Sequence, residues 1–263
     1  MCKDFVSNEK FIVFLGDNII QRDINQYVSD FKKSNSFASL LLCKVKNPSQ
    51  FGVAEVKNNK IIKITEKPKI PASNLAVTGI YLLTPYIFEV IKKLKPSWRN
   101  ELEIADALQM LIEEDKEISY EMITDFWKDT GTPQDIIEAN KFLLEKMQES
   151  FRGKKEKGTI LEGKVMIGEG TIIKEGVKII GPTIIGKNCI IKKNTIIGQN
   201  TSVGDNSHIT ESIISNSIIM SNCIIEGKIN MINSIIASNS KIIQKQKNNE
   251  KSFLLGEGTQ ISI

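Results

Sequence analysis

Between residues 167 and 209 an aliphatic side chain returns at every sixth position: Ile167, Ile173, Ile179, Ile185, Ile191, Ile197, Val203 and Ile209. Small or β-branched residues keep step four positions later, at Thr171, Val177, Thr183, Cys189, Thr195, Thr201 and Ser207, and glycine often follows the aliphatic, as at Gly168, Gly186, Gly198 and Gly204. A period of six suits neither the 3.6-residue helix nor the two-residue alternation of a hairpin meander. It suits a coil with three flat sides of about six residues each, in which every aliphatic points inward and stacks on its equivalents above and below. The small residue fits the crowded interior beside it, and glycine carries the backbone round the corner. Beyond Ile209 the register loosens, but paired aliphatics continue through "SIISNSIIMSNCII" and "NSIIASNSKII". About four to five coils are expected. The final "FLLGEGTQISI" is expected to close the stack as a strand pair or cap, since a solenoid must hide its last layer.

This repeat resembles the hexapeptide left-handed parallel β-helix, which sets one domain at 158–263. The charged, Gly-bounded "FRGKKEKG" (151–158) looks like a linker. Residues 1–150 have α/β grammar. "FIVFL" (11–15) and "ASLLLCKV" (38–45) are short apolar runs, as expected of strands buried on both faces. Between them Ile24, Tyr27, Val28 and Phe31 follow helical spacing. "FGVAEV" and "KIIKITEK" flank Lys57-Asn58-Asn59, a hairpin signal. "LAVTGIYLL" (75–83) is a further strand, and Pro85 opens a helix expected to reach about Leu94. Asn100 with Glu103, and Thr132-Pro133 with Asp135, are each spaced to begin a helix.

The 263 residues carry a formal net charge of +4, too small a bias to imply nucleic acid or an acidic membrane surface. No apolar run nears the roughly 18–20 residues of a membrane span, and "MCKDFVSNEK" lacks the apolar centre of a signal peptide. Cys2, Cys43, Cys189 and Cys223 show no paired spacing, so reduced thiols and a cytoplasmic protein are expected.

Five stretches in order, "LGDN" (15–18), "FGVAEV" (51–56), "EKPKIPASNLAVTGIY" (66–81), "SWRNELEIADALQ" (97–109) and "FWKDTGTPQDIIEAN" (126–140), make residues 1–150 resemble the sugar-1-phosphate nucleotidyltransferases. Within that family the resemblance is to the glucose-1-phosphate thymidylyltransferases of the longer form, which end in a left-handed β-helix. It covers essentially the whole chain. The resemblance implies a Rossmann-like α/β domain and transfer of a nucleotidyl group from dTTP to glucose 1-phosphate, with release of pyrophosphate. It implies Mg²⁺ held by Asp17 and Asp129, each placed at a strand end so that both meet at one sheet edge. It also implies Glu66 on the hexose hydroxyls, Lys67 and Arg99 on phosphate, Gly52 where backbone approaches the sugar, and Val77 and Tyr81 lining it. The chemistry suits these residue types. The nucleophile is a phosphate oxygen already anionic at neutral pH, so alignment and charge neutralisation are needed rather than a general base.

The family's Gly-rich triphosphate loop lies upstream of the "GDN" strand, and no glycine precedes Gly16 here. The expectation is an N-terminally truncated or split nucleotidyltransferase domain with little activity alone, in which a nucleoside triphosphate binds only when the missing segment is supplied. "FIVFL" would then be an open sheet edge. The alternatives are a non-catalytic sugar-phosphate-binding or assembly subunit and, less well supported, a β-helix acyltransferase using His208, the one histidine, as base. A homo-oligomer is expected, with no nucleic-acid or membrane partner.

Overall fold

The computed structural model describes residues 2–244, 254–256 and 260–262. Its chain forms two compact units, Met1–Asp129 and Thr130–Ile263. The first contains helix α1 (Cys2–Val6), strands β1 (Phe11–Phe14) and β2 (Asn18–Ile20), helix α2 (Asn25–Lys33), strands β3 (Ala38–Lys44), β4 (Gly52–Lys57), β5 (Lys60–Glu66) and β6 (Leu75–Leu83), helices α3 (Ile87–Ile91) and α4 (Ile104–Glu113), and strands β7 (Ile118–Ile123) and β8 (Trp127–Asp129).

The main sheet runs β5-β4-β6-β3-β7, with β1 also on β6. Nine-residue β6 organises it. One edge of β6 pairs with β3. The other takes β4 at one end (Val53 opposite Ala76) and β1 at the other (Phe11 opposite Leu83 to Phe14 opposite Ile80). Only β3–β7 is parallel. The apolar run of β3 is buried on both faces, as expected. Ala38, Leu40 and Leu42 enter one core, with Ile64, Tyr81 and the inner face of α4, while Leu41 enters another with Tyr27, Ile80 and Ile123.

Three local expectations change. The "FIVFL" run is not buried on both faces: β1 alternates, with Phe11 and Val13 against the core and Ile12 and Phe14 39% and 41% exposed. The Pro85 helix is confined to Ile87–Ile91. Asn100 is not a helix cap. It turns the chain at φ 60°, and α4 begins at Ile104, three residues later than a cap at Asn100 would start it, because the Glu103 carboxylate is engaged by Ser97 and Arg99. The Asn58-Asn59 hairpin holds, with φ of 51° and 60° at its two turn residues, the pairing a tight type I′-like turn demands.

The second unit opens with helix α5 (Pro133–Lys146), capped by the Thr132–Asp135 box the sequence suggests. Asn140 of α5 donates to the Asn200 carbonyl at 3.0 Å and accepts from the Ser202 hydroxyl at 2.5 Å. Those two contacts seat the helix on a three-sided parallel β-helix. Among the described residues two faces carry seven strands and the third five, all parallel, so five coils are complete on every side. The aliphatics of the repeat form one continuous core, from Val165 to Ile242. The small residues form a polar seam inside it. Thr171 donates to the Gly186 carbonyl at 2.6 Å and accepts from the Cys189 amide at 2.9 Å, while the Cys189 thiol donates to the Gly204 carbonyl at 3.2 Å. Ser207 and Cys223 repeat the arrangement two coils on. These buried hydroxyls and thiols therefore satisfy backbone groups of the neighbouring coil.

The loosened register has a simple geometry. Ile190 pairs with His208, eighteen residues on, but His208 pairs with Ile224, only sixteen on. Corners are trimmed while the faces stay aligned. Asparagines take the corners at Asn188, Asn206, Asn222 and Asn239, all with φ between 53° and 61°. Asn206 donates to Asn222, and Asn222 to Asn239, at 3.1 and 3.2 Å. Leu254–Leu255 and Gln260–Ser262 extend two faces by one strand each. Apart from Gly256, the rest of the closing segment lies outside the described residues.

Candidate active site

A cavity of about 320 Å³ opens in the first unit. All eight residues singled out in the sequence line it: Asp17, Gly52, Glu66, Lys67, Val77, Tyr81, Arg99 and Asp129. The topology explains the convergence. On β6, Val77, Gly79 and Tyr81 share one face by strand alternation and form the floor. The β4–β5 ladder places Gly52 directly opposite Glu66. A Cβ on Gly52 would come within 3.1 Å of Glu66 Oε2, so glycine leaves room for the carboxylate as well as for a ligand. Just after β5, Lys67 holds φ 38°, a left-handed conformation costly for a side-chain-bearing residue, fixed by its amide donating to the Phe51 carbonyl at 3.0 Å. Asp17 and Asp129 do not meet at the edge of the main sheet. Instead β2 and β8 form a separate two-stranded ladder that pairs Asn18 with Asp129, bringing the two acidic residues to the same end.

The site is acidic. Asp17, Glu66, Glu101, Glu103 and Asp129 line it against two cations, Lys67 and Arg99. Arg99 is enclosed by carboxylates: Glu101 Oε2 at 2.9 Å, Glu103 Oε1 at 3.3 Å and Glu66 Oε1 at 3.9 Å. Ser97 donates a further bond to Glu103 at 2.9 Å. Burial, then the charge of Glu103, push the Glu66 carboxyl above its usual range, with Lys67 and Arg99 opposing the rise. Burial, with help from Glu66 and Asp17, pushes the Tyr81 phenol up to about 12, so its hydroxyl stays a donor at any working pH.

The raised Glu66 carboxyl makes stability depend on pH in a definite direction. A carboxyl raised in the fold favours folding below its unfolded value near 4.5, and that benefit is lost as pH rises through the folded value. Glu66→Gln should therefore raise the melting temperature at pH 7.5, and the gain should shrink towards pH 4. Thermal unfolding at the two pH values checks this. An equal gain at both would refute the charge explanation.

A family model described as nucleotidyl transferase matches residues 1–146. The chain belongs to the nucleotidyl transferase family. Among curated relatives, the low-salt glycan biosynthesis nucleotidyltransferase Agl11 of Haloferax volcanii is 39% identical over 168 residues, covering 64% of this chain and 47% of the relative. A glucose-1-phosphate thymidylyltransferase of Streptomyces griseus is 37% identical over 185 residues, covering 70% and 52%. A solved structure from Bacillus anthracis, described as a putative glucose-1-phosphate thymidylyltransferase in complex with sucrose, shares 43% identity over 57% of this chain and 60% of its own, with a TM-score of 0.51. The chain spans about half the length of these curated relatives.

A nucleotidyl transferase of this kind typically works with a divalent cation, and the residues present fit one. Asp17 and Asp129 are two hard oxygen donors in a cavity that also holds phosphate-compatible cations, the small donor set Mg²⁺ takes when phosphate oxygens and water complete its shell. Among the described residues no group of three or more His, Cys, Asp or Glu is placed to hold a metal ion by itself. The two-carboxylate set therefore suits a metal completed by substrate rather than a closed protein cage.

Sequence reasoning missed Asn18, Glu101 and Glu103. By sequence Asn18 reads as part of a turn, and Glu103 as the third residue of a capping motif. The signal for the two glutamates was their i+2 and i+4 spacing from Arg99 in "RNELE". In the second unit His208 lies on an outer face between Ile190 and Ile224, partly exposed. Its backbone amide donates to the Cys223 carbonyl at 2.8 Å, a bond of the coil ladder rather than of a catalytic arrangement.

Proposed function

We propose that the first unit binds glucose 1-phosphate together with Mg²⁺ and presents the sugar phosphate to dTTP, giving dTDP-glucose and pyrophosphate. The observation that carries this reading is the convergence of Glu66, Lys67, Tyr81, Arg99, Asp17 and Asp129 on one cavity. Glu66 accepts from hexose hydroxyls, and the Tyr81 hydroxyl donates to a sugar oxygen. Gly52 and Val77 shape the wall around the ring. Lys67 holds the sugar's phosphate as a point charge. Arg99 holds Glu66 and Glu103 in place and turns to phosphate when the sugar phosphate competes for it. Mg²⁺ on Asp17 and Asp129 would neutralise phosphate charge. The phosphate oxygen attacks the α-phosphorus and pyrophosphate leaves, so the protein's work is alignment and charge compensation.

Ligand-observed NMR competition tests the substrate. Glucose 1-phosphate should displace glucose 6-phosphate and free glucose, and Glu66→Ala should weaken it against inorganic phosphate. Indifference to the position of the phosphate, or to Glu66, would overturn the assignment. Stronger binding of N-acetylglucosamine 1-phosphate would redirect it to another hexose.

A further inference from the structure

Asn18 is buried, 9% exposed, at the junction of three elements. Its Oδ1 accepts from the Trp127 indole Nε1 at 2.7 Å and from the Gly79 amide at 3.2 Å. Its Nδ2 donates to Asp17 Oδ1 at 2.8 Å. The orientation of the amide is chemically determined. Indole and backbone N–H can only donate, so the oxygen must face them, and the nitrogen must then face the Asp17 carboxylate, which in its ionised form can only accept. Gly79 has no room for a side chain, because a Cβ there would collide with Asn18 Nδ2 and Leu15. Trp127 and Asp129 lie on one strand, and Asn18 pairs with Asp129 across the β2–β8 ladder. One amide therefore links the turn carrying Asp17 to the floor strand β6 and to the strand carrying Asp129.

We infer that Asn18 is a positioning residue: its amide fixes the rotamer of the Asp17 carboxylate so that the carboxylate is presented to the divalent cation. The inference rests on the proposed metal role of Asp17 and Asp129. The physical reason is general. A ligating carboxylate that is free to rotate loses orientational entropy on binding, and loss of an outer-shell partner typically lowers metal affinity about 10–100-fold. Trp127 acts one step further out, since its indole N–H keeps the Asn18 amide from flipping and turning its oxygen on Asp17.

The test is titration of the full chain with Mn²⁺ alone, following free Mn²⁺ by electron paramagnetic resonance, with the melting temperature measured in parallel without metal. Asn18→Ala should weaken Mn²⁺ binding about tenfold at a temperature where the protein remains folded. Trp127→Phe leaves every atom of Asn18 and Asp17 in place and should weaken it in the same direction by less. It also serves if Asn18→Ala does not fold. Asp17→Asn is the reference. If Asp17→Asn abolishes Mn²⁺ binding while folded Asn18→Ala and Trp127→Phe bind as tightly as the unmodified chain, the positioning role is wrong. If Asp17→Asn itself binds Mn²⁺ undiminished, the metal assignment fails, and this inference with it.

Discussion

Replacing Ile191 by Asp is expected to unfold the solenoid. Ile191 is fully buried in the middle of the stack, paired on one side with Ile173 and on the other with Ile209. Loss of its burial alone removes about 1.5–3 kcal/mol. The carboxylate does more damage, because it would enter an apolar column with no cation among its inward-facing neighbours. A repeat fold is stabilised by the sum of adjacent layers, so damage in a central coil disconnects the coils on both sides. The whole chain carrying Ile191→Asp should lose the parallel-sheet circular dichroism signal and become susceptible to proteolysis throughout 150–244. His208→Asp, one coil away on the outer surface, should retain both the signal and the resistance. Equal tolerance of the two changes would mean the inward column does not hold the unit together.

The second large effect is expected at Lys67. Its backbone sits at φ 38° and its side chain lines the acidic cavity, so strain is tolerated where it aims a cation. A charged hydrogen bond to phosphate contributes about 1.5–3 kcal/mol. Lys67→Ala should thus weaken glucose 1-phosphate about 10- to 100-fold while leaving free glucose unaffected. Lys67→Arg should not restore full affinity, because the planar guanidinium cannot place its charge where the ammonium stood. Calorimetry with the two ligands separates the outcomes. A parallel loss for both would point to a collapsed pocket rather than a lost phosphate contact.

How legible this protein is in its sequence varies with the range of the interactions involved. The coil was legible because a six-residue period is a local statement repeated many times, and each inward Ile meets its own equivalent. The corners were less so. Asparagine at φ near 60° takes the place of glycine, and shortened corners break the period without breaking the faces. In the first unit, the resemblance to the sugar-1-phosphate nucleotidyltransferases singled out eight of the residues that line the cavity, yet the framework around them differed. Alternation within "FIVFL" was hidden by its uniform apolarity, since side-chain identity alone does not say that Ile12 and Phe14 stay exposed. The Asp17–Asp129 pairing depends on a ladder between residues 18–20 and 127–129, a contact spanning more than a hundred residues that no local pattern encodes. Glu103 fitted a capping motif by spacing, but the nearby Arg99 and Ser97 outcompeted the helix end for its carboxylate.

The most direct test of a metal-assisted sugar-phosphate site follows from the cavity's charge balance. Five carboxylates facing two cations should repel a phosphate dianion until a divalent cation enters. Calorimetric titration of glucose 1-phosphate, with and without Mg²⁺, should show affinity rising at least about tenfold with the metal. In Asp17→Asn and Asp129→Asn the metal-free affinity should be equal or slightly better, because one repelling charge is gone, and the Mg²⁺ enhancement should disappear. Binding that ignores Mg²⁺ in the unmodified chain, or an enhancement that survives both substitutions, would contradict the assignment of this cavity.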